Sequence, residues 1–521
     1  MRGAMADEKT ALLEGAPRLT TGCIQQRYVL SVMGFLAIAN AYTMRTSLSV
    51  AITEMACSNS SAGSSTGNSS SNNSQPDVGL QCPADDEFEA SSCGLAEFDW
   101  DEETQGLILS SFFWGYIVTH LPGGMLAERF GGKYSLGLGI LCTAIFTLLS
   151  PVAARYGGSG WFIAIRVLMG LGEGTTFPAL NALLAQWVPV SERGTLGSLV
   201  FAGSLIGNIV ANAVSGVVIE ATQSWDSVFY LFGGIGVLWF ILWQLLCYSD
   251  PNSHPFISDE EKKYLNEAIG NVDRKKDLPP IPWFHMLKSI PLWGLIFAQI
   301  GHDWGFYTMI TDLPKYMKNV LRFSISANGL LSALPYVAMW ISSVASGWLA
   351  DWILVRGYMN TTNVRKVFTI VAAVGPAAGI IGASYANCDR VTVVALFTVG
   401  MALMGTFYPG MKVNALDLSP NYAGTLMAFV NGAGSITGMV APYLIGVVAY
   451  NSTLEEWRIV FWITFGILVV TGIIFFFTAS GEVQYWNNLY TTKDEETGTH
   501  NKDKDTTDPY EMSTKPPAYS P

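Results

Sequence analysis

Six ionisable side chains lie inside long apolar runs of this chain: Arg45, Arg166, Glu173, His302, Asp303 and Lys412. A charge at bilayer depth costs about 2.5–3.5 kcal/mol on insertion scales, so such residues face a cavity or a partner. Arg166 and Glu173 are seven residues apart. On a helix that spacing puts them on one face, about 10.5 Å apart in rise, able to line one cavity without touching. Arg45, Arg166, His302 and Lys412 are the candidate substrate-binding residues for an anion, because a guanidinium fork suits carboxylate or phosphate. Glu173 is the candidate coupling residue, exchanging a proton or holding an arginine when no anion is bound. Asp303 reads as a partner for a neighbouring cation. The plainer alternative is a set of fixed ion pairs locking a bundle, or long side chains of Arg45 and Lys412 reaching to an interface. No cysteine pair has zinc-ligand spacing, and no nucleotide-binding motif or cofactor signature occurs. The pattern points away from an enzyme.

The elements that carry these residues are membrane spans. Half of the 521 residues are hydrophobic and 13% are charged, against about 25% charged in soluble domains. Twelve runs of spanning length begin near Tyr28, Gln105, Lys133, Trp161, Thr195, Val228, Leu292, Ala327, Val367, Val391, Tyr422 and Arg458. The net charge of −12 comes from acids gathered in the first long loop and the C-terminal tail, which excludes a basic nucleic-acid footprint. The first 26 residues are polar and lack the apolar core of a cleavable signal.

The two halves repeat. Gly124-Met-Leu-Ala-Glu128-Arg129 with Lys133 closes the second run, and Gly347-Trp-Leu-Ala-Asp351, with Arg365-Lys366 further on, closes the eighth. Gly174-Thr-Thr-Phe-Pro178 with Asn181-Ala-Leu183 matches Gly405-Thr-Phe-Tyr-Pro409 with Asn414-Ala-Leu416. The fold class that follows is all-α, with twelve transmembrane helices in two parallel-repeat six-helix bundles. Repeats of this kind belong to transporters, with the substrate near the midplane between halves. The division is an N-terminal tail (1–27), a first bundle (28–248) with a loop at 54–104, a linker (249–290), a second bundle (291–480) and a C-terminal tail (481–521). Glu128, Arg129, Lys133, Asp351 and Arg365 form a candidate conformational latch of acid and base at helix ends.

With the N-terminus in the cytoplasm, the cytoplasmic loops hold twelve Lys and Arg and the opposite loops six, as the positive-inside rule requires. The loop after the seventh run, with Lys315, Lys318 and Arg322, is the exception. Glycosylation sequons at Asn59, Asn68, Asn72 and Asn451 fall on the external side. Both termini are then cytoplasmic. Cys82 and Cys93 share the first loop and are candidates for a disulfide if it faces an oxidising compartment. In the tails, Glu8 with Leu12 and Leu13 fits an acidic dileucine signal. Pro516, Pro517 and Tyr519 fit a PPxY motif for a WW domain. The membrane is the plasma membrane or an endolysosomal one, and the protein is expected to be monomeric.

Several stretches carry a resemblance: Arg45-Thr-Ser-Leu-Ser-Val-Ala-Ile52, Ser111-Phe-Phe-Trp-Gly-Tyr116, Gly170-Leu-Gly-Glu-Gly174, Asp417-Leu-Ser-Pro420 and Glu455-Glu-Trp457. From about Tyr28 to Trp486 the chain resembles the major facilitator superfamily, and within it the anion:cation symporters. That group holds sialin, the vesicular glutamate transporters and sodium–phosphate cotransporters. Gly301-His-Asp-Trp304 and Gly410-Met-Lys-Val-Asn-Ala-Leu416 are similar to the insect phosphate cotransporters. The resemblance implies a secondary active symporter of an anion working by alternating access, inorganic phosphate with Na+ foremost. A sialin-type carrier of an organic acid with H+ is the alternative, and a sensor that binds without transport is the rival of another class. It also implies that Arg45, Arg166 and Glu173 stand at substrate and coupling positions. Leu109 stands where the glutamate transporters have a histidine, His302 where they have an arginine, and Met169 where sialin has a second acid.

Overall fold

The computed structural model describes residues 25–56, 82, 96–130, 132–269, 281–419 and 422–488. Within these residues the chain is almost wholly helical. The first half comprises α1 (Gln26–Met55), α2 (Glu102–Phe130), α3 (Gly132–Glu173), α4 (Thr176–Trp187), α5 (Val190–Phe201), α6 (Gly203–Thr222) and α7 (Ser227–Leu246). A linker helix, α8 (Asp259–Ile269), leads to the second half. That half comprises α9 (Ile290–Lys315), α10 (Ile325–Arg356), α11 (Thr361–Tyr385), α12 (Arg390–Met404), α13 (Val413–Leu418), α14 (Ala423–Val448) and α15 (Leu454–Thr478).

Eight segments are long and apolar enough to cross a membrane by hydropathy alone. One of them, Gly132–Leu184, is 53 residues long and counts as two spans, because α3 turns back at Gly158, where φ is +63°. The helices missed by hydropathy among the described residues are α1, α2 and α9, each of which carries buried polar side chains such as Arg45, Gln105 and Asp303. Twelve spans result, as the sequence pattern predicts.

Buried hydroxyls in α1 are satisfied within the helix, so the span tolerates them. Thr43, Ser47, Ser49 and Thr53 each donate to the carbonyl three residues back. Thr46 Oγ1 donates to Asn208 Oδ1 at 2.7 Å and ties α1 to α6. The start of α1 is capped from the linker: Glu261 of α8 accepts from the backbone N–H groups of Gln26 (2.9 Å) and Arg27 (3.2 Å). A carboxylate at a helix N-terminus satisfies orphan donors and complements the helix dipole.

Each half has its own apolar core. The halves meet most closely where helix backbones touch. Gly216 of α6 lies against Gly329 of α10, and a Cβ on Gly329 would stand 2.6 Å from the Asn212 carbonyl oxygen. At the same end of the bundle, the end that carries Met55 and Glu102, two ion pairs cross between halves. Lys315 Nζ lies 2.5 Å from Glu102 Oε2, and Lys318 Nζ lies 2.8 Å from Glu54 Oε1. Glu102 also accepts from Asn319 and Ser452, and Lys318 donates to the Thr53 carbonyl. The three lysine and arginine residues that break the positive-inside pattern thus include two that are paired across the halves, Lys315 fully buried and Lys318 largely so.

One pairing corrects the sequence reading. Cys82 is bonded to Cys388, in the α11–α12 turn, with Cα atoms 5.3 Å apart, and not to Cys93, which lies outside the described residues. Spacing within one loop could not reveal a partner 306 residues away. Asn59, Asn68, Asn72, Glu8, Leu12, Leu13, Pro516, Pro517 and Tyr519 also lie outside the described residues. Asn451 is exposed, and its amide donates to Glu456 at 2.7 Å.

Candidate anion site

Arg45 projects from the buried middle of α1 and is 5% exposed. Its guanidinium lies among the rings of Tyr42, Phe112, Phe113 and Tyr307, with centroids 4.7–5.2 Å from its central carbon, and Tyr116 at 6.0 Å. Ring faces attract a desolvated guanidinium. Arg45 Nη1 stands 3.6 Å from Glu173 Oε1. That contact is electrostatic and too long for a good hydrogen bond.

Arg166 and Glu173 come from the second arm of α3, on one face as their spacing predicts. The arm packs unusually close to α2. A Cβ on Gly170 would overlap the Phe112 carbonyl oxygen, and one on Gly115 the Val167 carbonyl oxygen. This approach carries the Phe112 ring to 5.2 Å from the Arg166 guanidinium. Arg166 has Met169 as its hydrogen-bond neighbour, with Nη1 3.9 Å from Sδ, and no carboxylate within 4.0 Å among the described residues. The helix breaks directly after Glu173, at Gly174 and Thr175.

Polar atoms in this cluster are buried without a hydrogen-bond partner: Arg45 Nη2, Arg166 Nε and both carboxylate oxygens of Glu173, whose Oε1 has only the longer ionic contact with Arg45. Buried polar atoms in folded proteins are overwhelmingly paired. Two guanidinium groups with free donors beside one carboxylate have the composition needed to hold a small anion.

The second half supplies Lys412. It sits where span ten is broken, in a wide turn at Tyr408–Lys412 between α12 and α13. Pro409 removes a backbone donor there, and the carbonyl of Pro409 is taken up by Arg365 Nη1 at 2.7 Å. Lys412 Nζ donates to Asn431 Oδ1 of α14 at 2.7 Å. The break in span ten echoes the break after Glu173, as the repeat of Gly174–Pro178 in Gly405–Pro409 predicts.

His302 is not brought to the arginines. Its ring stacks on Phe407, with centroids 3.5 Å apart and planes 5° apart. It faces a pocket lined from the second half alone, by Thr369, Ala372, Leu468 and Thr471 among others. Neighbouring residues on a helix diverge by about 100°, and it is Tyr307 and Asp303 that face the first half. His302 is therefore set apart from the arginines, whereas Tyr307, one turn beyond Asp303, joins the Arg45 cage.

Of the candidate latch residues, Lys133, Asp351 and Arg365 are described, and no two of these three form an ion pair with each other. Lys133 Nζ donates to the Gln244 carbonyl at 3.0 Å and lies 3.9 Å from the Tyr248 ring centroid. Arg365 pairs with Asp417 at 2.7 Å. Asp351 is exposed and makes no ion pair among the described residues. The side chains of Glu128 and Arg129 lie outside the described set.

The fold and site define a two-bundle membrane carrier, and the chain belongs to the Major Facilitator Superfamily, whose family model matches residues 30–442. It is 40% identical to a Drosophila melanogaster protein named "Putative inorganic phosphate cotransporter", over 89% of this chain and 87% of that one. It is also 40% identical to sialin of Ovis aries, over 93% of this chain and 96% of that one. Both relatives fall in the anion group that the motifs resemble, and their names are those of transporters. Among solved structures, a bacterial homolog of the human lysosomal transporter Spinster, inward-facing and occupied, superposes with a TM-score of 0.64 at 13% identity, over 88% of this chain and 97% of that one. That likeness concerns the fold.

Proposed function

We propose that this protein carries a small anion across a membrane by alternating access, driven by a cation gradient, with inorganic phosphate and Na+ as the first reading. The observation that carries this is the cluster of Arg45, Arg166 and Glu173, buried between helices with donors and acceptors that lack hydrogen bonds. In this reading the anion takes the free donors of Arg45 and Arg166. Glu173 holds Arg45 when the site is empty and takes a cation when it is full. Lys412 adds a positive charge from the other half, which suits a highly charged anion. Met169, lying on Arg166, leaves that guanidinium without a fixed acid and free to meet substrate. The similarity to sialin supports a second reading, an organic acid moved with H+.

The end of the bundle that carries Glu102, Lys315 and Asn451 is the external one in this reading. The ion pairs closing that end then correspond to a carrier shut to the outside. The deciding experiment is uptake by purified protein in liposomes, with phosphate, sialic acid and glutamate offered under separate Na+ and H+ gradients. Phosphate uptake that follows Na+ supports the first reading, and acid uptake that follows H+ the second. Binding of an anion with no flux under either gradient refutes a carrier and leaves a sensor.

A further inference from the structure

We propose that Asp303 is a second coupling carboxylate, supplied by the C-terminal half, which takes a monovalent cation as the anion binds; this rests on the carrier reading above. Asp303 is 7% exposed. Its Oδ1 accepts from Gln299 Nε2 at 2.7 Å. No cationic side chain comes within 4.0 Å of it among the described residues. Lys412, the cation of its own half, is engaged by Asn431 instead.

Its position gives that carboxylate a task. Asp303 and Tyr307 are one turn apart on α9, and Tyr307 is a ring of the Arg45 cage. On α14, Asn431, Gly434 and Gly438 share a face at intervals of three and four residues. Asn431 holds Lys412. Gly434 makes room for Asp303, since a Cβ there would overlap Oδ2. Gly438 receives the ring of Phe113, another member of the Arg45 cage. One face of α14 therefore runs from Lys412, past Asp303, to Arg45.

An anion held between the positive groups of the two halves lies beside Asp303, and two negative charges in a poorly solvated space repel. A cation on Asp303 removes that repulsion. Anion and cation then favour each other's binding by the same factor, as linkage demands. A second observation points to a ligand at this position: Gln299 Oε1, on the same side of α9, is 3% exposed as a residue and has no hydrogen-bond partner. With Asp303 it offers oxygen acceptors to Na+, or a proton acceptor and its neighbour to H+.

The test is the number of cations moved per anion in liposomes. Wild-type protein and Asp303→Asn are compared with labelled phosphate and, in parallel, sialic acid, while labelled Na+ and internal pH are followed. The ratio is taken on whatever flux remains, so a slower variant is still informative. Loss of one cation per anion is expected, and the cation that is lost identifies the ligand as Na+ or H+. An unchanged ratio overturns the proposal while leaving the carrier intact. Wild-type protein that moves neither anion overturns the carrier reading and this one with it. Should Asp303→Asn fail to fold, Gln299→Leu decides: a raised half-saturating cation concentration supports the site, and an unchanged one overturns it.

Discussion

Arg45 has two kinds of neighbour, an acid at 3.6 Å and a cage of rings, and they respond differently to replacement. A lysine keeps the positive charge beside Glu173 but loses the planar fork that can hold an anion and stack on rings. Arg45→Lys is therefore expected to abolish anion uptake while the protein elutes as folded monodisperse material at normal yield. Arg45→Ala leaves Glu173 buried without its cation, a loss that costs about 3–5 kcal/mol when a buried pair is broken, so its yield falls as well. Uptake by Arg45→Lys at the wild-type rate would remove Arg45 from the site. At this scale the sequence was legible where a charge interrupts an apolar run, which is why Arg45, Arg166 and Glu173 were found together. It was illegible where two ionisable residues adjoin, as at His302-Asp303. Which of them faces the other half depends on how α9 is rotated, and that is set by packing between halves rather than by local pattern.

Helix ends carry the next set of consequences. Lys315 and Glu102 are 1% and 3% exposed in their side chains, so removing one leaves the other stranded. Lys315→Ala should lower stability by about 3–5 kcal/mol, and Lys315→Met with Glu102→Gln should recover most of it, because a neutral pair removes the uncompensated charge. The thermal midpoint in detergent reads both; equal midpoints for the single and double variants would show that the pair is not coupled. On the exposed surface, Arg155 grips Glu97 with two hydrogen bonds of 2.9 and 3.0 Å and reaches Asp226 at 2.9 Å. The Arg155 hydrogen bonds hold the Glu97 carboxyl below its ordinary range. A depressed carboxyl contributes stability above its unfolded value and loses it only as pH falls through the folded value. The destabilisation by Arg155→Ala should thus be about 0.2–1 kcal/mol, as exposed pairs give. It should hold from about pH 7 to about pH 5 and fade only below the usual glutamate range near pH 4. A difference in midpoint that disappears already at mildly acid pH would contradict this. The Lys315 and Lys318 pairs had a trace in the sequence, since they stand in the one loop that defied the charge rule. Their partners, Glu54 and Glu102, were hidden among the many acids around the first loop.

The whole molecule was the most legible level. Run length fixed twelve spans, and repeated motifs fixed two bundles, because both signals are local and periodic. What joins the bundles was not legible. The close approach of Gly216 to Gly329 and the crossing ion pairs are contacts between distant segments, with no period to betray them. Sidedness is argued from charge and sequons and has a direct test. Tyr156, 90% exposed in the α3 turn, and Tyr358, 63% exposed after α10, lie at opposite ends of the bundle. In a variant without other reactive cysteines, Tyr156→Cys should be labelled by an impermeant reagent from the outside or lumen, and Tyr358→Cys only after permeabilisation. The opposite result reverses the orientation.

The bond from Cys82 to Cys388 turns the middle of the chain into a covalent ring. The linker between bundles lies inside that ring, so the polypeptide can be severed there without coming apart. A protease site placed at residues 270–280 should therefore yield, once cut, a single band in denaturing gels run without reductant and two fragments after reduction. Two fragments without reductant would mean that the ring is open. A closed ring also means that bundles cut apart in the linker still diffuse as one object, so transport by nicked protein would show whether the linker itself has any part in moving one half against the other.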